Sequence, residues 1–272
     1  MELKELVALG LIFMSVPVCS ALLTYWRRGR DFAFFVLVFG AMITERLDIN
    51  FVSREWYRGT TRGFEISFLD ILSVSLLVAM WLRPRKGESR FFWPASLGPL
   101  LAYLAYCFAS VLFSDPQLFG MFELLKVARG ILLFVTVANY VRSEKQLRVF
   151  LWSFIAAVLY QGFVAVKMRY LGGVHRVYGT LEHPNSLSLY MCMAVPVLYA
   201  AAMSKLPKWQ QRFALLAVLI GMVAVLLTIS RTGVVTLGLV LFGIVAACFS
   251  FRLTVRNILI TGGVICALVL GV

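Results

Sequence analysis

Acidic residues are scarce: 13 Asp and Glu stand against 26 Lys and Arg, a net charge of +13 over 272 residues. Histidine is scarcer, with two. The five cysteines (Cys19, Cys107, Cys192, Cys248, Cys266) each lie inside an apolar stretch, and no C-x-x-C spacing occurs. That argues against a disulfide framework and against a cysteine-based metal site. Period-2 alternation is missing, which argues against a β-barrel. No internal repeat and no low-complexity segment is present. A cleavable signal peptide carries its positive charge ahead of the apolar run, whereas here Arg27, Arg28 and Arg30 follow it. Val18 directly before Cys19 speaks against a lipoprotein cleavage site.

Apolar residues are what the chain has in excess: 61%, with mean hydropathy +0.88. A soluble domain is roughly 45–50% apolar. The surplus comes in blocks of about 17–22 residues, the length that crosses a bilayer. The expectation is an all-α, polytopic transmembrane helical bundle with about ten spans and no large soluble domain, a single transmembrane domain over 1–272. The spans fall at about 6–25, 32–49, 66–82, 95–113, 120–140, 147–166, 186–203, 213–229, 234–250 and 256–272. The last one runs to Gly271-Val272 without a polar flank, so the chain reads as the N-terminal part of a longer protein.

Orientation follows from the short loops. One alternate set holds Arg27, Arg28, Arg30, Arg83, Arg85, Lys86, Arg90, Arg142, Lys145, Arg148, Lys205, Lys208, Arg212, Arg252 and Arg256, against Asp31, Glu88 and Glu144. That side is cytoplasmic. The net charge is thus topological information and not a nucleic-acid footprint. The N-terminus lies outside, together with the connections 45–65, 114–118, 167–185 and 230–233.

Most polar material is on the outer set. Lys167–Asn185 holds both histidines, His175 and His183, with Lys167, Arg169 and Arg176. Gly172-Gly173 breaks the sixth span, Gly179 makes a tight turn, and Asn185 or Ser186 caps the seventh span. The free N–H groups of that helix and the nearby cations suit a phosphate or diphosphate. An ordinary loop whose arginines meet lipid headgroups has the same composition. Ser230-Arg231-Thr232-Gly233 joins two spans with almost no loop. By spacing, Arg231 complements a helix C-terminus and snorkels, with Gly233 as the turn; an anion-binding arginine is the functional alternative. Glu123, Lys126 and Arg129 share one stripe of the fifth span, either as an ion-pair ladder or as a basic lining. The 45–65 loop balances its signs and has room for a short surface helix or turn.

These residues carry a resemblance to the O-antigen ligase and O-antigen polymerase superfamily. The match is R-x-x-G-T-x-x-H-P-N at Arg176–Asn185, leading into a span near Pro196, followed by a span ending in S-R-T-G at Ser230–Gly233; the motif region is about 167–250. Y-R-G-T-T-R-G-F-E-I-S at 57–67 also resembles exosortase-associated O-glycosylation ligases. The resemblance implies a GT-C-like glycosyltransferase of the bacterial inner membrane, multi-pass, with its active face periplasmic. The donor is an undecaprenyl-diphosphate-linked glycan. The acceptor is lipid A–core of lipopolysaccharide, a second glycan, or a protein. No metal, cofactor or nucleic acid is implied. Carried over residue by residue, Arg176 and Arg231 form a diphosphate clamp, with Asn185, Lys167, Arg169, Lys126 and Arg129 around it. Such enzymes place an essential histidine in a large late periplasmic loop. The sequence ends before one, and His175 and His183 match an earlier position, so they are weak catalytic candidates and the 272 residues alone are expected to be inactive. A transporter or flippase for a lipid-linked or anionic solute is the alternative, with Glu123, Lys126 and Arg129 lining its pathway.

Overall fold

A computed structural model describes residues 3–43, 48–51, 63–85, 87, 89–181 and 183–248. The described residues form nine helices and one two-stranded ladder: α1 Leu3–Tyr25, α2 Arg27–Ala41, β1 Asp48–Phe51, β2 Phe64–Ser67, α3 Phe68–Leu82, α4 Leu97–Leu112, α5 Gln117–Tyr140, α6 Glu144–Tyr170, α7 Pro184–Met203, α8 Lys208–Leu227 and α9 Arg231–Cys248. The all-α expectation holds for the bulk of the chain. Three of the helices, α6, α7 and α8, are long and apolar enough to cross a membrane, so the chain is membrane-associated. Nine of the expected segments coincide with α1–α9; the tenth, 256–272, lies outside the described residues.

The sequence reading missed the ladder. The second segment was expected to run helically through 32–49, yet α2 ends at Ala41 and β1 begins at Asp48. β1 pairs antiparallel with β2, Asp48 opposite Ser67 and Phe51 opposite Phe64. Ser67 then starts α3 through a capping box: Asp70 N–H donates to Ser67 Oγ at 3.2 Å, and Ser67 N–H donates to the Asp70 carboxylate at 2.8 Å. The Ser-x-x-acid pattern satisfies two orphan donors at once, which ends the strand where the helix begins.

The chain packs as two compact units, Met1–Ala41 with Arg46–Phe150, and Met42–Glu45 with Leu151–Val272. In the first, α3 packs on α1, α2 and α5, and α4 on α5. Phe34, Leu37, Leu76, Phe122 and Tyr140 are fully buried there, with Phe34 and Tyr140 stacked 3.7 Å apart. Arg30, 2% exposed, donates to three carbonyls: Leu23 at 2.6 Å, Arg83 at 2.9 Å and Thr24 at 3.2 Å. Its fork closes the C-terminal ends of α1 and α3, where carbonyls lack helical partners.

In the second unit, α7 packs on both α8 and α9. Small residues let the backbones approach, as membrane helices require. A Cβ on Gly162 would overlap Ile220 Cγ2, and one on Gly221 would stand 2.5 Å from Val195 Cγ2. Leu187, Met191, Leu198 and Val218 fill the space between.

Candidate functional site

The second unit holds the connection from α6 to α7. α6 ends where Gly173 takes φ +63 and Val174 N–H reaches back to the Met168 carbonyl at 3.0 Å. This is the left-handed C-terminal closure for which glycine has no steric cost. The segment then folds onto the unit. Val177 is fully buried, and its N–H donates to the Leu227 carbonyl at 3.3 Å.

Gln161 of α6, 0% exposed, fixes the other half of the loop. Its amide N–H donates to the Met42 carbonyl at 2.8 Å and to Thr180 Oγ1 at 2.6 Å, and its Oε1 accepts from Thr180 N–H at 3.1 Å. Gly179 has φ +61, and a Cβ there would stand 2.5 Å from Gln161 Oε1. The turn glycine thus does two jobs: it adopts the backbone angle and leaves space for the amide. Gln161 was missed by sequence reasoning. Its setting was the available signal: a glutamine flanked on both sides by apolar residues from Phe154 to Val166.

The cap of α7 corrects an expectation. The capping residue is His183, in extended conformation, whose Nδ1 accepts the Asn185 N–H at 3.2 Å; Pro184 occupies the first helical position. Proline there removes a donor that had no partner anyway. Asn185 and Ser186 lie inside the helix. A capping His183 uses Nδ1 as acceptor, which competes with its candidacy as a general base. His175 is exposed, and its carbonyl accepts from Arg169 at 2.7 Å.

The second motif is built differently from its sequence reading. α8 ends at Thr228, whose hydroxyl donates to the Val225 carbonyl at 2.7 Å. Ile229 makes the turn at φ +55, an unusual angle for a β-branched residue. Ser230 caps α9, its Oγ accepting from Gly233 N–H at 3.3 Å. Arg231 is therefore the first residue of α9 and not the last of α8. A cation at a helix N-terminus opposes the macrodipole, so dipole complementation does not explain it. Gly233 lies within the first turn of α9 and is buried; it is not the turn. A Cβ on it would overlap Ser188 Oγ and stand 3.0 Å from Ser188 Cβ. Cys192 Sγ–H donates to the Gly233 carbonyl at 3.3 Å.

Arg176 joins the two motifs. Its Nε donates to the Thr228 carbonyl and an Nη to Asn185 Oδ1, both at 3.4 Å. Below lies a cleft of about 340 Å³ between α7 and α9, lined by Asn185, Ser188, Cys192, Ser230, Thr232 and Thr236, with Leu189 and Gly233. Among the described residues no carboxylate lines it. Ser188 Oγ is buried without a hydrogen-bond partner, with only the weakly bonding Cys192 thiol beside it. The N-termini of α7 and α9 both border the cleft. Hydroxyls, an amide and two helix N-termini without an acid are the chemistry of an oxyanion seat.

The other named cations divide. Lys167, Arg176 and Arg231 are exposed. Arg169 is already engaged, donating to the carbonyls of Val174 at 3.5 Å and His175 at 2.7 Å. Lys126 and Arg129 belong to the first unit. There Arg129 pairs with Asp70 at 2.8 Å and Glu65 at 3.5 Å, so its charge is spent on the start of α3 and on β2. Among the described residues no group of three or more His, Cys, Asp or Glu is placed to hold a metal. No protein-family model matches the sequence, and comparison with curated proteins and with solved structures finds no match to it.

Proposed function

We propose that this chain belongs to a multi-pass bacterial inner-membrane glycosyltransferase with about ten spans and a GT-C-like bundle. It transfers a glycan from an undecaprenyl-diphosphate carrier to a lipid, glycan or protein acceptor at the periplasmic face. The observation that carries the reading is Arg176, which bonds to the end of α8 and to the start of α7. Two motifs that are distant in sequence thereby meet at one oxyanion-suited cleft. Arg231 adds to it: an exposed cation at a helix N-terminus is accounted for by an anionic ligand.

In the reaction an acceptor hydroxyl attacks the anomeric carbon. The new C–O bond forms as the bond to the diphosphate breaks, and the hydroxyl proton passes to a base. The leaving diphosphate gains negative charge. Guanidinium groups and oriented N–H donors stabilise that charge without reorganising. The engagement of Arg129 by Asp70 and Glu65 counts against a transport pathway lined by that stripe.

The test uses the chain as its native gene encodes it, in membranes, with radiolabelled lipid-linked glycan. Arg176→Lys and Arg231→Lys keep the charge but lose the planar fork. Each should lower transfer per folded molecule by about 10²–10³-fold. Wild-type rates in both variants would remove the clamp, and absence of transfer by the wild type would remove the function.

A further inference from the structure

A second cationic cluster lies in the first unit, at the ends of α2, α3 and α5. Arg30, Arg85, Arg90 and Arg142 converge with Asn139 and Tyr140 on a hollow of about 10 Å³, room for about one water or one oxyanion oxygen. Among the described residues that line it none is an acid. Asp31, the acid next to Arg30, is already held: Arg85 at 2.9 Å, Lys145 at 3.6 Å and the Tyr140 hydroxyl all bind its carboxylate.

Several donors there are unused. Arg142 gives one Nη to Ser89 and the other to Asn139, yet its Nε is buried and has no acceptor among the described residues. Arg90 lies over the Trp81 ring at 6.0 Å and makes no ion pair among the described residues. Burial first, then the Arg85, Arg27 and Arg83 charges, push the Arg30 guanidinium below its ordinary pKa, against the opposing pull of Asp31. A bound anion would relieve this repulsion.

The surroundings indicate where the anion comes from. Trp81, Phe91, Phe92 and Trp93 are all exposed next to the cluster. Aromatics of this kind concentrate at headgroup depth. Asn139 holds that strip in place, accepting from Phe92 N–H at 2.7 Å and donating to the Phe92 carbonyl at 3.1 Å. We propose that the arginine-lined hollow seats the phosphate of an anionic phospholipid headgroup, one oxygen entering the hollow and the rest lying against the aromatic strip. Basic pockets among membrane helices bind such headgroups by this chemistry.

Native mass spectrometry of the purified protein tests this, with phosphatidylglycerol and phosphatidylcholine added at equal concentration. The wild type should retain phosphatidylglycerol preferentially. Arg90→Gln should weaken that retention about fivefold, the factor for one cation at an anionic surface, and Arg90→Lys should restore much of it. Arg142→Lys keeps the charge and loses the free Nε–H, so it should weaken retention as well. Arg90 makes no hydrogen bond or ion pair among the described residues and only stacks on exposed Trp81, so its variants carry the test if Arg142→Lys does not fold. Equal retention of the two lipids by the wild type, or unchanged retention in Arg90→Gln, overturns the proposal. Inorganic phosphate alone raising thermal stability as much as phosphatidylglycerol would make the site one for a free anion and would also overturn it.

Discussion

Replacing Gln161 with leucine removes the amide that holds the Arg176 loop while keeping its volume. Three hydrogen bonds go: to the Met42 carbonyl, to Thr180 Oγ1 and from Thr180 N–H. Thr180 is 5% exposed, so these bonds lie out of reach of bulk water. Each contributes about 0.5–1.5 kcal/mol. The sum over three bonds is about 1.5–4.5 kcal/mol, since leucine opens no cavity. For a protein of this size 1 kcal/mol moves Tm by about 2–4 °C, which puts the expected drop at about 3–18 °C in detergent. Amide hydrogen exchange gives the local readout: Thr180 and its neighbours in the loop should exchange faster, while the middle of α8 follows global stability only. An unchanged Tm together with unchanged exchange at Thr180 would refute the claim that this amide anchors the site.

Gly233→Ala should destabilise by about 1–2 kcal/mol, because the new methyl overlaps Ser188 and overpacking costs more than the helix propensity gained; adding Ser188→Gly should recover most of it, read as a double-mutant cycle in thermal unfolding. Arg30→Met should cost about 2–4 kcal/mol, since it strands the buried Leu23 carbonyl and removes two part-buried bonds to the Thr24 and Arg83 carbonyls, and unfolding followed by tryptophan fluorescence would detect it. In intact cells, an impermeant thiol reagent should label cysteine placed at exposed His175 and not at exposed Lys145; labelling at Lys145 would reverse the proposed orientation. Thr180, also in the outer connection, is buried and should stay unlabelled.

Much of the helical layout was legible because bilayer-length apolar blocks announce themselves by composition. α3 through α9 begin and end within a few residues of the apolar runs. The Gly172-Gly173 break was readable for the same local reason: a helix closing at left-handed φ needs glycine. The β1–β2 ladder was not readable, because pairing of 48–51 with 64–67 is a non-local event, and Gly59 and Gly63 between them fit a short surface helix or turn equally well. The caps were only half legible. Pro184 marks a first helical position in sequence, but histidine is not a favoured cap residue, so Asn185 and Ser186 drew the assignment instead.

The sequence by itself determined that the chain is helical and membrane-associated, since apolar content and block length depend on no contact. It also placed Arg176 in a polar connection and Arg231 at the junction of two apolar runs, where spacing alone read Arg231 as a snorkelling cation at a helix C-terminus. Only the tertiary structure decided how each cation is used. Arg129 meets Asp70 and Glu65, Arg169 is taken by carbonyls of its own loop, and Arg176 bridges Thr228 and Asn185. Arg231 changed meaning without moving in sequence: a turn at Ile229 transferred it from the end of one helix to the start of the next. Those outcomes rest on hydrogen-bond, ion-pair and turn geometry that exists only in the folded chain, which composition and spacing do not encode.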